Sequence, residues 1–231
     1  MNSVCYVAKI EWHCNDNALY LAMLPIQEQQ YAQRYAHPQR LRSFIASRLL
    51  LRRCLSLYHQ QSLDWRFLYH DKRLQLDSTQ THLHTSISHS HDWVACVLSE
   101  QAHCGIDIEH TVMPYNFMAI AKRFFAKSES EYLQRLQSTQ AFVVFLDFWT
   151  RKEACVKAWH KGLAHHLAQL SFDVHQLNPV TTPECYQHLP LQVFCFRQVD
   201  WQLAVAIHSH TPLSMPPLVV FERVLGSVDT P

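Results

Sequence analysis

The chain has 231 residues, 48% of them hydrophobic and 17% charged, with a formal net charge of +1. That length supports one large core or two small ones, and that balance excludes a disordered chain. Near-neutral charge leaves no overall field to draw nucleic acid, so any basic site must be local.

In chain order, VCYVAKIEW (4–12) alternates as a strand, and PIQEQQYAQRY (25–35) reads as a helix. HPQRLRSFIASRLLLRRCLSLYHQ (37–60) predicts a long helix, with Pro38 suited to its first turn. DWRFLYH and KRLQLD read as short strands, and HDWVACVLS (91–99) and CGIDIEH (104–110) as strands rich in Val, Ile and Cys. FMAIAKRFFAKSESEYLQRL (117–136) predicts one or two helices, broken near Ala126–Ser128. AFVVFLDFWTRKEACVKAWHK (141–161) predicts a long helix with Gly162 at its C′ position. FDVH (172–175), LQVFCFRQV (191–199), WQLAVAIHS (201–209) and LVVFERVL (218–225) read as strands. Each half thus offers a long helix and several largely antiparallel strands, an α+β pattern of two similar subdomains, 1–102 and 103–231.

The start, MNSVCYVAKIEWHC, lacks the basic region and apolar core of a secretory signal, and AFVVFL is too short to span a bilayer. Eight scattered cysteines without a CxxC pair read as reduced thiols in a cytoplasmic protein, mostly buried. Glycine stands only at 105, 162 and 226, which excludes a Walker A loop and a Rossmann fingerprint. Phosphates would have to be held by side chains, a metal, or both. The histidine runs HLH (82–84), HSH (89–91) and HH (165–166) read as surface or hydrogen-bonded histidines, His89 excepted.

In GIDIEH, Asp107 and Glu109 share one strand face and Ile106 and Ile108 the other. Carboxylates spaced about 6–7 Å along a strand attract a cation, and oxygen-only ligands select Mg²⁺ or Mn²⁺; the plainer reading is a solvated face. Gly105 permits a sharp entry or a close backbone approach. In FWTRKEACVKAWHKGL, Trp149, Glu153 and Lys157 fall on one helical stripe. They form either a local ion pair or a third carboxylate with a lysine poised over an anion. Ser88, His89 and Ser90, at the mouth of a strand, can hydrogen-bond phosphate oxygens. Arg42, Arg48, Arg52 and Arg53 make the long helix basic on two faces. No GxSxG elbow is present for a serine hydrolase.

The order ISHS, GIDIE, AKRFFAKSE and FWTRKEACVK with KGL resembles the Sfp-type 4′-phosphopantetheinyl transferases, closely over 85–163 and loosely in the flanks. The resemblance implies transfer of phosphopantetheine from coenzyme A to a serine of an acyl or peptidyl carrier protein, leaving adenosine 3′,5′-bisphosphate. It implies a cytoplasmic, pseudo-twofold monomer with coenzyme A in the cleft between two α+β halves, and no membrane or nucleic-acid partner. By position, Asp107, Glu109 and Glu153 would coordinate Mg²⁺, with Mn²⁺ as a substitute. Lys157 and His89 would meet the phosphates beside Ser88, Arg42 the 3′-phosphate, and Lys72 the nucleotide; Glu129 would be the base for the carrier serine. Trp149 would pack beside the site. The chain departs from the family where Asp-Lys-Arg (71–73) replaces a Gly-Lys-Pro turn, where QEQQ (27–30) replaces lysines, and where WHKGL lacks a glycine. Met113–Met118 and Lys122–Phe125 offer a basic and apolar surface for the carrier. The alternatives are a Mg²⁺-dependent hydrolase of nucleotide pyrophosphates and a non-catalytic homologue binding carrier or coenzyme A.

Overall fold

The structure, a computed structural model, describes residues 3–61, 64–70, 73–112, 116–160, 167–175 and 179–225. In chain order it contains β1 (Ser3–Lys9), α1 (Asn17–Leu21), α2 (Ile26–Ala32), α3 (Pro38–His59), β2 (Phe67–His70), β3 (Arg73–Leu76), β4 (His84–Ser90), β5 (Trp93–Ser99) and β6 (Cys104–His110). There follow α4 (Phe117–Phe124), α5 (Lys127–Gln134), α6 (Ser138–Ala158), β7 (Ser171–Phe172), β8 (Pro179–Thr181), β9 (Leu191–Arg197), β10 (Trp201–His208) and β11 (Leu218–Phe221).

This is a mixed α+β fold with two main sheets. One has the order β11-β1-β5-β4, antiparallel except where β11 runs parallel to β1; the other is antiparallel β6-β10-β9. Alternation along the strands sets the layers. Val4, Tyr6, Ala8, Val94, Cys96 and Leu98 pack with the α3 residues Ile45, Leu51 and Leu55. Their neighbours Cys5, Val7, Ala95 and Val97 pack instead with Ile106, Ile108, Leu203, Val205 and Ile207 of the second sheet. On the far face of that sheet, Ala204 and Ala206 meet Ala154 and Ala158 of α6. The order is therefore helix, sheet, sheet, helix. Strands covered on both faces read as continuous apolar runs, which is why VCYVA, WVACVL and LAVAI carry so little polar alternation.

The sheets meet along a seam of serines. Ser86 Oγ accepts from the Ile106 N–H (3.2 Å), Ser88 Oγ donates to Asp107 Oδ1 (2.9 Å), and Ser90 Oγ accepts from the His110 N–H (3.1 Å). β4 thus lies alongside β6 in the same direction, joined through every second hydroxyl. SHS lies inside strand β4 and not at its mouth. His91 (φ 52°) and Asp92 form the two-residue turn into β5, so that strand starts at Trp93.

The other boundaries have local causes. Pro38 opens α3, the His37 ring accepts from the Gln39 N–H (3.3 Å), and Gln60 in the left-handed region (φ 52°) closes it. The 117–136 stretch forms two helices, parted by extended backbone at Phe125 and Ala126. α6 runs Ser138–Ala158, and His160 (φ 63°) supplies the left-handed C′ residue expected of Gly162, which lies outside the described residues. α1 was not foreseen. FDVH contributes only Phe172 to a strand, and β11 ends at Phe221. The eight cysteines are all free, five of them buried. Among the described residues no helix is long and apolar enough to cross a membrane.

Candidate active site

Small residues bring α6 down onto β6. A Cβ on Gly105 would lie 2.0 Å from the Ala154 carbonyl oxygen and 2.5 Å from the Ala158 nitrogen. The glycine serves close approach, and its φ is not positive. Ala206 stands opposite it in the β6–β10 register and Ala204 opposite Asp107, so the helix seats on a smooth surface. This contact carries the Glu153–Lys157 stripe of α6 to the Asp107–Glu109 face of β6.

Lys157 Nζ donates to Asp107 Oδ1 (2.7 Å), Ser88 Oγ (2.9 Å) and the Ile106 carbonyl (3.0 Å). Glu109 accepts from Ser90 Oγ (2.7 Å) on one oxygen and from Trp149 Nε1 (3.0 Å) on the other. Asp107 Oδ2 and Glu153 Oε1 are buried without a hydrogen-bond partner.

The electrostatics follow from three carboxylates sharing one lysine. Burial, then repulsion from Asp107, pushes Glu153 up to about 8, against the pull of Lys157. Burial and Asp107 push Glu109 up to about 7, although Ser90 and Trp149 favour its charged form. Burial also raises Asp107, outweighing the lysine beside it. His89 is exposed but ringed by protein. Its desolvation, with the charges of Lys157 and Arg48, holds the imidazole below its ordinary value and neutral at pH 7.

The structure therefore brings Asp107, Glu109, Glu153, Lys157, Ser88 and His89 together. In this conformation no three His, Cys, Asp or Glu side chains among the described residues are arranged to hold a metal ion. On the acidic face both oxygens of Glu109 already accept one hydrogen bond each. The two orphaned oxygens of Asp107 and Glu153 remain, an all-oxygen pair that fits a hard cation.

Two expected residues are not at this site. Glu129, expected as the base, lies in the core as a buried partner of Lys152. It is 0% exposed, 2.8 Å from the equally buried Lys152 Nζ, and accepts from the Ala126 and Phe172 N–H groups (both 2.9 Å). Three donors thus hold this carboxylate in the core, away from the Asp107 cluster. Arg42 also lies apart from the cluster. Its guanidinium donates to the Trp12 and Ile10 carbonyls (2.7 and 2.9 Å) and to Asp92 (2.5 Å), leaving little for a phosphate. It lines a cavity of about 490 Å³ that none of the carboxylate cluster shares. Lys72 lies outside the described residues.

The scan of family models matches residues 103–207 to the 4'-phosphopantetheinyl transferase superfamily. The chain is 32% identical over 185 residues to 4'-phosphopantetheinyl transferase AcpT of Salmonella typhi, covering 79% of this chain and 85% of that protein. The chain belongs to the 4'-phosphopantetheinyl transferase superfamily. It is also 28% identical over 214 residues to 4'-phosphopantetheinyl transferase Sfp of Bacillus subtilis, covering 91% of this chain and 93% of that one. With HetI of Nostoc sp. it shares 31% over 147 residues, 62% of each chain.

Within this superfamily frame, three residues gain a place that sequence reasoning had not assigned. Arg48, not Arg42, is the α3 arginine whose charge reaches His89. It is held by Tyr69 Oη (3.0 Å) and Ser47 Oγ (3.0 Å) and lies over the Phe44 ring. Glu28, from QEQQ, faces the same arginines, 2.9 Å from Arg52 and 3.9 Å from Arg48. Ser90 holds Glu109, for which the alternating serines of TSISHS were a signal. Trp149 does pack, stacking on Phe145, but also bonds Glu109. On the expected carrier surface, Phe117 is a core residue and Arg123 lies over Phe124; 113–115 lie outside the described residues.

Proposed function

We propose that the chain transfers the 4′-phosphopantetheine group of coenzyme A to a serine hydroxyl of an acyl or peptidyl carrier protein. The observation that carries this reading is the meeting of Lys157 with Asp107 and Glu153, on a chain of this superfamily. In the reaction the serine oxygen bonds to the phosphorus that bears the pantetheine arm. The pyrophosphate P–O bond breaks, and adenosine 3′,5′-bisphosphate leaves with the electron pair. The nucleophile comes from the partner, which accounts for the missing nucleophile elbow.

Asp107 and Glu153 would hold Mg²⁺ through the oxygens that lack partners, the usual pattern of one or two carboxylates completed by substrate phosphates. Glu109, oriented by Ser90 and Trp149, would complete the acidic face through its remaining lone pairs. When bound, the ion neutralises charge on the pyrophosphate. Lys157, anchored by Asp107 and Ser88, presents fixed positive charge beside it, and preorganised charge favours the transition state. His89, neutral, can donate to a phosphate oxygen without adding charge. Arg48, whose charge acts on His89, would support the nucleotide end of coenzyme A. The serine proton would leave to Glu109, which burial and Asp107 push up to about 7.

The division at 102/103 belongs to the same proposal, with one addition: β11, from the end of the chain, completes the first sheet. So do the cytoplasmic location, the monomeric state, and the absence of membrane or nucleic-acid partners. The test is the nucleotide product. With coenzyme A, Mg²⁺ and an apo carrier, adenosine 3′,5′-bisphosphate should appear in step with carrier added. Its release at the same rate without carrier would instead make the chain a hydrolase.

A further inference from the structure

Lys152 precedes Glu153 in sequence, about 100° round the helix, so the two point to different sides of α6. Glu153 faces the carboxylates of β6. Lys152 enters the core with 0% of its side chain exposed. All three of its N–H bonds are used there: to Glu129 Oε2 (2.8 Å), the Leu167 carbonyl (2.8 Å) and the Leu170 carbonyl. Its ammonium also lies over the Phe125 ring, 5.3 Å from the centroid. Glu129 in turn holds the N–H groups of Ala126 and Phe172. One ion pair thus stitches together α5, α6, the 167–170 turn and β7.

Such a pair needs a reason. Two charges taken fully out of water rarely stabilise a fold more than apolar side chains of the same size would. This one lies one residue from a carboxylate that two others repel. Asp107 and Glu109 oppose charge on Glu153, and Glu153 Oε1 is buried without a hydrogen-bond partner to fix it. The Gly105 seat lets the helix come close, and Lys157, one turn beyond Glu153, ties it to Asp107, which leaves the turn of Lys152 and Glu153 to be held from the core side.

We infer that Lys152 and Glu129 form a positioning device, anchoring from the core side the turn of α6 that presents Glu153 to Asp107. Neither residue touches substrate; both act through Glu153. The inference rests on the reading of Asp107 and Glu153 as a cation-holding pair.

The experiment uses the full chain, with Mn²⁺ as probe and binding followed by electron paramagnetic resonance without coenzyme A. Two variants are compared with the parent: Glu129→Gln, which keeps the shape, and the doubly apolar Lys152→Met with Glu129→Leu, which keeps a packed core. Circular dichroism verifies that each is folded, and transfer to a carrier is measured alongside. The device predicts a Mn²⁺ dissociation constant raised at least tenfold in the folded double variant and by less in Glu129→Gln. Transfer by Glu129→Gln should return toward the parent rate at saturating metal. Unchanged Mn²⁺ affinity in both folded variants would overturn the inference. So would a Glu129→Gln protein that binds Mn²⁺ normally but loses transfer more than a hundredfold at every metal concentration, since that is how a base behaves. A parent that binds no Mn²⁺ would overturn the cation reading beneath it, a result distinct from either.

Discussion

Lys157 Nζ lies 2.7 Å from Asp107 Oδ1, and the same nitrogen reaches Ser88 and the backbone of Ile106. One side chain of α6 is thereby bound to both strands that flank the sheet boundary. Replacing Lys157 with Met leaves Asp107 buried and uncompensated. Losing one member of a fully buried pair costs roughly 3–5 kcal/mol. Because the Lys157 side chain is 30% exposed, about 2 kcal/mol is expected, read by urea unfolding at pH 8. Transfer should fall at least about a hundredfold, the scale of losing one preorganised charge partner.

The acidic face makes stability depend on pH. Glu109 rises to about 7 and Glu153 to about 8, from 4.5 in an ordinary setting. Between pH 4.5 and 8 these two carboxylates therefore bind more protons in the folded state than in the unfolded one, so the stability they contribute falls as pH rises across that window. The lowered histidines His59, His84, His89 and His208 exert the opposite and smaller pull near 6.5. Melting temperatures in a chelator should decline from pH 5 to pH 8. Added Mg²⁺ should flatten the decline, because it favours the ionised carboxylates. A chelator curve that climbs over this range would remove the basis for the clustered carboxylates.

Gly105→Ala tests the seat beneath α6. The added Cβ meets backbone atoms of the helix, not the end of a flexible side chain. The cost should reach the upper end of overpacking, about 3 kcal/mol. In any folded fraction α6 should be displaced and metal affinity lost with it, as thermal unfolding and Mn²⁺ binding would report.

The two arginines of α3 should separate. Arg42→Ala strands the Ile10 and Trp12 carbonyls and should cost about 2 kcal/mol while leaving the KM for coenzyme A unchanged. Arg48→Ala should raise that KM severalfold. Steady-state kinetics on both variants decides, and the reverse pattern would restore Arg42 to the nucleotide.

The core of this arrangement was legible because it depends on spacing within single elements. Asp107 with Glu109 at strand period, and Trp149, Glu153 and Lys157 at helix period, share faces whatever surrounds them. Gly105 was legible as a close approach, though not what approaches it. The burial of Glu129 and the partners of Arg42 were not legible, because residue type and order cannot report depth. A glutamate three residues into a short helix looks solvated until Lys152, 23 positions on, is known to enter the same core. Arg42 and Arg48 differ by six positions on one basic helix, and only the fold turns one toward Asp92 and the other toward Tyr69 and Glu28. The parallel pairing of β11 with β1 joins residues more than 200 apart and has no local signal. The β4–β5 turn was hidden because His-Asp occupies a place where Asn-Gly is the readable pair.

The most direct measurement is the intact mass of a carrier. A panel of apo acyl and peptidyl carrier proteins is incubated with the chain, coenzyme A and Mg²⁺, in parallel with Asp107→Asn and Glu153→Gln. The account predicts that at least one carrier gains the mass of a single phosphopantetheine on its serine, and that both variants abolish the gain. Coenzyme A consumed while every carrier keeps its mass, or a gain undiminished in both variants, would contradict it.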